Sequence, residues 1–365
     1  MSNNGNGQRP TLTLDGERVP FTRGESLYEI TQRHAKEVPT LCYDERLEAF
    51  GACRLCAVEV EGIRNPVASC TTEAQPDMVV KTRTDSLEKH RKTLLEMVAS
   101  ENPRGDDIHP LRGLASQELA QLTVRYEVDG TRFEGKRSGH SRHDDPNPMI
   151  LRDYDHCISC YRCVRVCAEQ EGDYAISVQN RGFHTQITTE FDGHLKGSAC
   201  TFCGQCVQTC PTGALGDQRS MAAQDDVQSL EEVESTRTIC PYCGVGCSVD
   251  ILSKDDRIVS VRPAMDGPAN EGALCVKGQF AWDWVQSPDR LTSPMVRVDG
   301  ELVECDWDTA LDRAAEGLRK VRDEHGRHAI YGVASGRAPH ESAYAMQKLI
   351  RAGFGTNQID NCSRA

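Results

Sequence analysis

Two cysteine runs of identical form carry most of the chemistry in this 365-residue chain. Cys157-x2-Cys160-x2-Cys163-x3-Cys167 recurs as Cys200-x2-Cys203-x2-Cys206-x3-Cys210, with Pro211 directly after the second. Three thiolates on one tight loop can hold three irons of a cubane, while the fourth points away and serves the other cluster. The spacing therefore predicts one [4Fe–4S] cluster on Cys157, Cys160, Cys163 and Cys210, and another on Cys200, Cys203, Cys206 and Cys167. Zinc ribbons also use Cys-x2-Cys. Zinc takes only four ligands per site, however, and gives no reason for a doubled four-cysteine run.

Two further sets are looser. Cys42-x10-Cys53-x2-Cys56-x13-Cys70 places three ligands on one loop and a fourth at a distance, which suits a [2Fe–2S] site. It departs from the plant-type spacing, and a zinc site remains the alternative. Cys240-x2-Cys243-x3-Cys247-x27-Cys275 again joins a short loop to a remote residue, followed by Val276-Lys277-Gly278. Iron–sulfur is the better reading there too, with zinc as the alternative. Sixteen of the 18 cysteines are then assigned, and Cys305 and Cys362 read as ordinary thiols. The histidines show no paired ligand spacing, and His156 beside Cys157 reads as a neighbour rather than a ligand. No nucleophile elbow, paired carboxylate or phosphate loop appears. Clusters in series without an acid, base or nucleophile describe an electron conduit.

Composition narrows the setting. With 42 Lys+Arg against 55 Asp+Glu the formal charge is −13, which argues against nucleic acid as a partner. No apolar run is long enough for a membrane helix, and the first residues lack the apolar core of a signal peptide. So many cysteines in a cytoplasmic chain point to metal ligation rather than disulfides.

The elements that must position these residues follow from pattern. Residues 11–21 read as a hairpin turning at Asp15-Gly16, by a type I′ turn. Ser26 and Glu29 form a capping box opening a helix that stops before Pro39. Residues 57–60 read as a strand. Residues 84–100 read as a helix with Leu87, Leu94, Leu95 and Val98 on one face and Asp85 as cap. Residues 101–145 lack periodicity and read as a linker, and 223–236 as an acidic linker. Residues 307–322 form an amphipathic helix capped by Asp306. Residues 329–334 read as a buried strand, and 340–352 as a helix ended by Gly353.

This order of modules resembles the N-terminal part of a soluble, molybdopterin-dependent formate dehydrogenase alpha subunit. It shares that start with the large iron–sulfur subunit of NADH–quinone oxidoreductase. The resemblance covers residues 11–365 and is strongest at the two ferredoxin runs and at Cys240 through Lys277. It implies an α+β multidomain chain. A β-grasp-like [2Fe–2S] ferredoxin domain would occupy 10–84, and a helix and linker 85–145. A two-cluster [4Fe–4S] ferredoxin module would occupy 146–222, and a [4Fe–4S] molybdopterin oxidoreductase cluster domain 236–292. Residues 293–365 would start a molybdopterin-binding α/β domain. Lys277 would lie between cluster and pterin as an electron relay. The implied partners are a flavin- and NAD-binding diaphorase-type subunit or another acceptor, with formate oxidised at a molybdopterin guanine dinucleotide carrying Mo or W in the full-length form. The rival readings are a subunit of an NADH dehydrogenase or hydrogenase-type complex, and a stand-alone electron-transfer protein without pterin.

Two departures from that family stand out. Its members often carry a further cluster on one His and three Cys after the [2Fe–2S] domain, yet residues 101–121 hold no cysteine. The sequence also stops at Ala365, where the family continues with a selenocysteine or cysteine that ligates the metal, and then a histidine. A UGA codon read as a stop is one expectation; a frameshift, a partial gene or a cloned fragment is the other. The genomic codons after Ala365 decide between them: UGA followed by a histidine codon supports the first, and UAA or UAG sinks it.

Overall fold

The computed structural model describes residues 9–102, 110–128, 130, 132–135, 142–143, 145–223 and 227–362. It falls into two units, Met1–Glu232 and Val233–Ala365. The expected acidic linker at 223–236 spans this division. Residues 224–226 of it, 103–109 of the first linker and 363–365 of the tail lie outside the described residues.

The first unit opens with β1 (Thr11–Leu14) and β2 (Glu17–Pro20), joined by Asp15 at φ 49° and Gly16 at φ 88°. Two successive positive φ values make the expected type I′ turn, whose twist matches the strands. Asp15 also accepts hydrogen bonds from the Thr82 amide at 2.7 Å and hydroxyl at 2.6 Å, tying the turn to a distant strand end. Helix α1 (Leu27–Arg33) starts at the Ser26–Glu29 capping box. It stops short of Pro39 because Ala35 turns left-handed and the Lys36 amide closes back on Thr31.

Strands β3 (Ala57–Val60), β4 (Val67–Ala68) and β5 (Val79–Lys81) complete a five-stranded sheet of order β2-β1-β5-β3-β4. The β1–β5 pair is parallel and the other pairs are antiparallel. Alternation along β1 sends Leu12 and Leu14 inward, against Leu27 and Ile30 of α1 and against Val58, Val60 and Val80. Cys56 and Cys70 sit in this same core.

Helix α2 (Asp85–Glu101) buries Leu87, Arg91 and Leu95. Its cap is Thr84, whose hydroxyl accepts from the Leu87 amide at 3.2 Å, rather than Asp85. Asp85 lies inside the first turn, where its charge favours the dipole. The linker expected over 101–145 is corrected in part: α3 (Glu118–Arg125) forms there. Leu119 and Tyr126 join Leu41, Leu55 and Leu95 in a second apolar cluster. With only eight residues, α3 is too short for periodicity to reveal, and packing stabilises it.

The cysteine-rich module follows. Strands β6 (Arg142–His143) and β7 (Ile150–Asp153) lead to α4 (Arg162–Glu169) and to the hairpin of β8 (Ser177–Gln179) and β9 (Gln186–Thr188). Helix α5 (Gln205–Gln208), β10 (Leu215–Asp217) and α6 (Gln218–Ala223) close it, with β10 antiparallel to β7. Arg162 bonds Glu118 at 2.8 Å and so ties α4 to α3.

The second unit has an antiparallel sheet of β11 (Glu234–Ile239), β12 (Ser248–Lys254) and β13 (Arg257–Pro263), with α7 (Val276–Phe280) packed on β13. The hairpin of β14 (Met295–Val298) and β15 (Glu301–Glu304) precedes α8 (Trp307–His325), which Asp306 caps as expected by accepting from the Thr309 amide. No residue of α8 is buried, and Trp307 and Leu311 of its apolar stripe are 68% and 59% exposed. The buried strand expected at 329–334 is shorter. It is β16 (Gly332–Ala334), paired in parallel, among the described residues, only with β17 (Ile359–Asn361), and its Val333 is exposed. Between them α9 (His340–Lys348) unwinds into a single π-turn over Leu349–Gly353. Among the described residues no helix is long and apolar enough to cross a membrane.

Arg91 is the most demanding residue of this fold. Its side chain is 1% exposed and donates to the carbonyls of Leu55, Ala57 and Thr82 while pairing with Glu88 at 2.8 Å. It thereby ties α2 to the strand carrying the cysteine loop. Arg91→Met strands three carbonyls and is expected to cost about 3 kcal/mol or more, seen as an earlier urea transition. Glu88→Gln keeps those bonds and should cost less than about 1 kcal/mol.

Candidate metal centres

Each ferredoxin run wraps its loop with the same backbone device. Two residues after the first cysteine the chain turns left-handed, at Ser159 (φ 52°) and Phe202 (φ 57°). Two residues further it does so again, at Tyr161 (φ 60°) and Gly204 (φ 78°). Of these four positions only Gly204 adopts the geometry without steric cost. Helices α4 and α5 start immediately afterwards and carry the third and fourth cysteines of the first run and the third of the second, whose fourth, Cys210, follows α5.

The fold carries the fourth cysteine of the second run, Cys210, to the first three cysteines of the first. Cys157, Cys160, Cys163 and Cys210 line one cavity, roofed by Tyr154, Ile187 and Leu215. Burial, with the Cys210 charge behind it, pushes the Cys157 thiol up to about 11 and the Cys160 thiol to about 12. Cys163 is raised well above the ordinary thiol value, by burial and by its three companions. In the second set burial raises Cys200, carries Cys203 to about 12, and raises Cys206 well above the ordinary thiol value. The charge felt from the other run at both Cys200 and Cys206 includes that of Cys167. Amides point at the sulfurs as well: Ala175 donates to Cys167 at 3.3 Å and Phe202 to Cys200 at 3.4 Å. Donors of this kind stabilise a sulfur that carries charge.

In the first domain the sulfurs stand in two pairs. Cys56 and Cys70 lie 3.4 Å apart, and Cys42 pairs with Cys53, whose amide donates to the Cys42 sulfur at 3.4 Å. Within each pair one thiol donates to the other, so Cys42 and Cys56 are pulled down and Cys53 and Cys70 pushed up. Arg54 at φ 62° turns the chain between Cys53 and Cys56.

In the second unit Cys240, Cys243 and Cys247 occupy the loop from β11 to β12, closed by the Cys240 amide donating to the Cys247 carbonyl at 2.8 Å. Cys275 stands at the N-terminus of α7. Burial raises the thiols of Cys240 and Cys247, and the charges of Cys243 and Cys275 act on both. Lys277 follows on α7 as an exposed residue, its ammonium 5.5 Å from the centre of the Tyr242 ring, and its charge acts to lower the Cys240 thiol. Cys305 and Cys362 stay apart from every set: the sulfur of Cys305 faces the Pro294 carbonyl and that of Cys362 the Ser335 hydroxyl. His156 lies 3.6 Å from Asp153.

All four sets offer the soft sulfur donors that iron–sulfur clusters take, and in three of them burial raises several of the thiols. Among the described residues no three His, Cys, Asp or Glu side chains converge closely enough for a single metal ion. Spacing gave no sign of the buried network beside the second run, because its members lie far apart in sequence. Asp44 accepts from Arg46 at 2.9 Å and from Thr209 at 2.6 Å, and Arg46 reaches Gln205 at 2.7 Å. Asp44 follows Cys42 by two residues, and Gln205 and Thr209 flank Cys206 and Cys210.

The raised thiols set a proton balance. At neutral pH they keep their protons in the metal-free protein, and ligation must displace them. Iron and sulfide uptake by apoprotein is therefore expected to strengthen from about pH 6.5 to 8.5, with acid favouring release. Iron per chain after anaerobic reconstitution across that range measures it, and a flat profile would contradict the burial argument.

Comparison with known proteins follows the same module order. Residues 8–85 match the model of a 2Fe-2S iron-sulfur cluster binding domain, and 147–216 that of the NADH-quinone oxidoreductase subunit 3 ferredoxin-like domain. Residues 233–287 match the molybdopterin oxidoreductase Fe4S4 domain, and 290–365 molybdopterin oxidoreductase itself. A Staphylococcus haemolyticus protein named "Putative formate dehydrogenase" is 31% identical over 97% of this chain and 39% of its own length. An NADH-quinone oxidoreductase subunit of Rhizobium meliloti is 34% identical over 97% of this chain and 40% of its own. A chain from the crystal structure of an NAD+-reducing [NiFe]-hydrogenase in the H2-reduced state superposes with a TM-score of 0.50 at 28% identity, covering 57% of this chain and 87% of that one. The chain thus spans about two-fifths of the length of the curated relatives it matches. It belongs to the molybdopterin oxidoreductase family, as an iron–sulfur chain in which a two-iron domain and a ferredoxin-like module precede the family's own Fe4S4 domain.

Proposed function

We propose that this chain is the iron–sulfur conduit of a formate dehydrogenase alpha subunit, with one [2Fe–2S] and three [4Fe–4S] clusters. The observation that carries the reading is the crossed placement of Cys210 with Cys157, Cys160 and Cys163. It is the arrangement a two-cluster ferredoxin module requires and one that paired zinc ribbons do not need. The two sulfur pairs of Cys42 with Cys53 and Cys56 with Cys70 suit the two irons of a [2Fe–2S] site. The mixed sheet of order β2-β1-β5-β3-β4 supports a β-grasp-like fold for 10–84. Clusters so held supply one-electron storage, and the residues around them tune its energy through hydrogen bonds, burial and charge.

By its place after Cys275, Lys277 is the residue we assign as relay between the Cys240, Cys243, Cys247 and Cys275 site and a molybdopterin guanine dinucleotide with Mo or W. That cofactor, and formate itself, belong to the longer protein. The other end serves a diaphorase-type subunit binding flavin and NAD, or another acceptor, in the cytoplasm. A second reading is a subunit of an NADH dehydrogenase or hydrogenase-type complex, favoured by the 34% identity to the Rhizobium protein and by the hydrogenase superposition. Formate-dependent reduction of the clusters by the longer protein separates the two.

Anaerobically purified protein is expected to hold about fourteen irons per chain with matching sulfide. Zinc in place of iron would falsify the proposal. The crossed assignment predicts non-additive losses. Cys157→Ala with Cys210→Ala should lose about four irons, no more than either alone, whereas Cys157→Ala with Cys167→Ala should lose about eight.

A further inference from the structure

The loop bearing Cys42 and Cys53 rests directly on the loop bearing Cys160 and Cys163, and one cation joins them. Arg165 lies on α4 between Cys163 and Cys167, held there by its amide bond to the Tyr161 carbonyl. Its guanidinium donates at 2.6 Å to the carbonyl of Cys42 and also to that of Glu48. Phe50, from the same loop as Cys42, lies under the guanidinium at 5.2 Å. The Phe50 ring meets Tyr161 edge-on, with centres 5.5 Å apart and planes at 84°. On the other flank the Glu48 amide donates to Glu169 and the Gln170 amide group to the Arg46 carbonyl. Beneath this contact Cys53 and Ile158, the neighbour of Cys157, pack into one apolar cluster.

We propose that Arg165, seated on Phe50, is a positioning residue that locks the Cys42 loop against the first four-cysteine loop and biases the Cys42 site toward its reduced, more negative form. The inference rests on the cluster assignment above and adds the coupling between two of those sites. A guanidinium keeps its proton at any working pH, so the bias is a fixed charge rather than a titrating one. No bond forms or breaks and no proton moves: only the one-electron balance between the sites shifts. The Cys42 thiol already registers that charge, being held down first by its bond with Cys53 and also by Arg165. The contact has a further consequence for this chain. Residues 101–121 hold no cysteine, and among the described residues the Phe50–Tyr161 junction brings the two loops into direct contact.

The test uses the anaerobically purified full chain, reduced stepwise with dithionite and followed by electron paramagnetic resonance. Arg165→Gln is expected to lower the midpoint potential of the two-iron signal and to weaken its relaxation enhancement by the neighbouring cluster. Arg165→Lys should restore the potential, because the charge returns. Phe50→Leu, which keeps every charge, should weaken the relaxation enhancement with iron content intact. Arg18→Gln, a surface residue paired with Asp77, should change neither. Unchanged potential and relaxation in Arg165→Gln at full iron content overturns the proposal while leaving the cluster assignment standing. A wild-type chain without iron overturns the assignment itself. Where Arg165→Gln loses its iron, unchanged relaxation in Phe50→Leu overturns the proposal instead.

Discussion

Sulfur held where the protein disfavours its charge is the constraint on which the rest depends. In the ferredoxin-like runs the thiols of Cys157, Cys160, Cys163, Cys200, Cys203 and Cys206, and in the next loop those of Cys240 and Cys247, are raised chiefly by burial, and each feels the charge of a companion. Several thiolates in one such pocket repel one another, and only a cation among them, with the amides aimed at the sulfurs, makes the grouping favourable. The apolar content of the fold is lean, and much of it sits in the first domain and beneath α2. Around the ferredoxin runs the chain has short helices, short strands and residues in left-handed conformations. Such loops cost conformational energy, and on the proposed assignment cluster binding at the sulfurs would offset it, coupling binding to folding.

The parts legible in the sequence are those whose signals are local. Ser26 with Glu29 and Asp306 with Thr309 act over one helical turn, and Asp15-Gly16 over two residues. The cysteine spacing is likewise local, and it led to the crossed partner through the way a cubane divides its ligands between a tight loop and a distant residue. What stayed hidden depends on contacts across long separations. Helix α3 forms because Leu119 meets Leu41 and Leu55 and because Glu118 meets Arg162, none of which a window of a dozen residues contains. The misplaced cap at Asp85 has a different cause: Thr84 and Asp85 are both capable, and only the backbone angles decide. The shortened strand at β16 reflects its neighbour, since a two-stranded parallel pair buries little and leaves Val333 in solvent.

The docking of the first domain on the ferredoxin module shows the same dependence. Asp44, Arg46, Gln205 and Thr209 form one hydrogen-bonded set, with both Asp44 and Arg46 nearly buried on the two-iron side. Burial pushes the Asp44 carboxyl up, but the bonds from Arg46 and Thr209 outweigh it and draw the group well below the usual carboxylate range. A charge pair placed there discriminates among ways of seating the two modules, since any slip leaves a buried ion without its partner.

The exchange of fourth cysteines has a consequence for how such a module is inherited. A doubled sequence suggests two units that began as copies, each able to stand alone. Cys210 lines the cavity of the first run, and the charge of Cys167 acts on Cys200 of the second, so on the proposed assignment neither copy is self-sufficient. Deletion of one half would not leave a simpler protein with a single site; it would leave two incomplete ones. Where the halves differ, as at Tyr161 against Gly204, both positions keep the same left-handed backbone, and the cysteine spacing is the same in each.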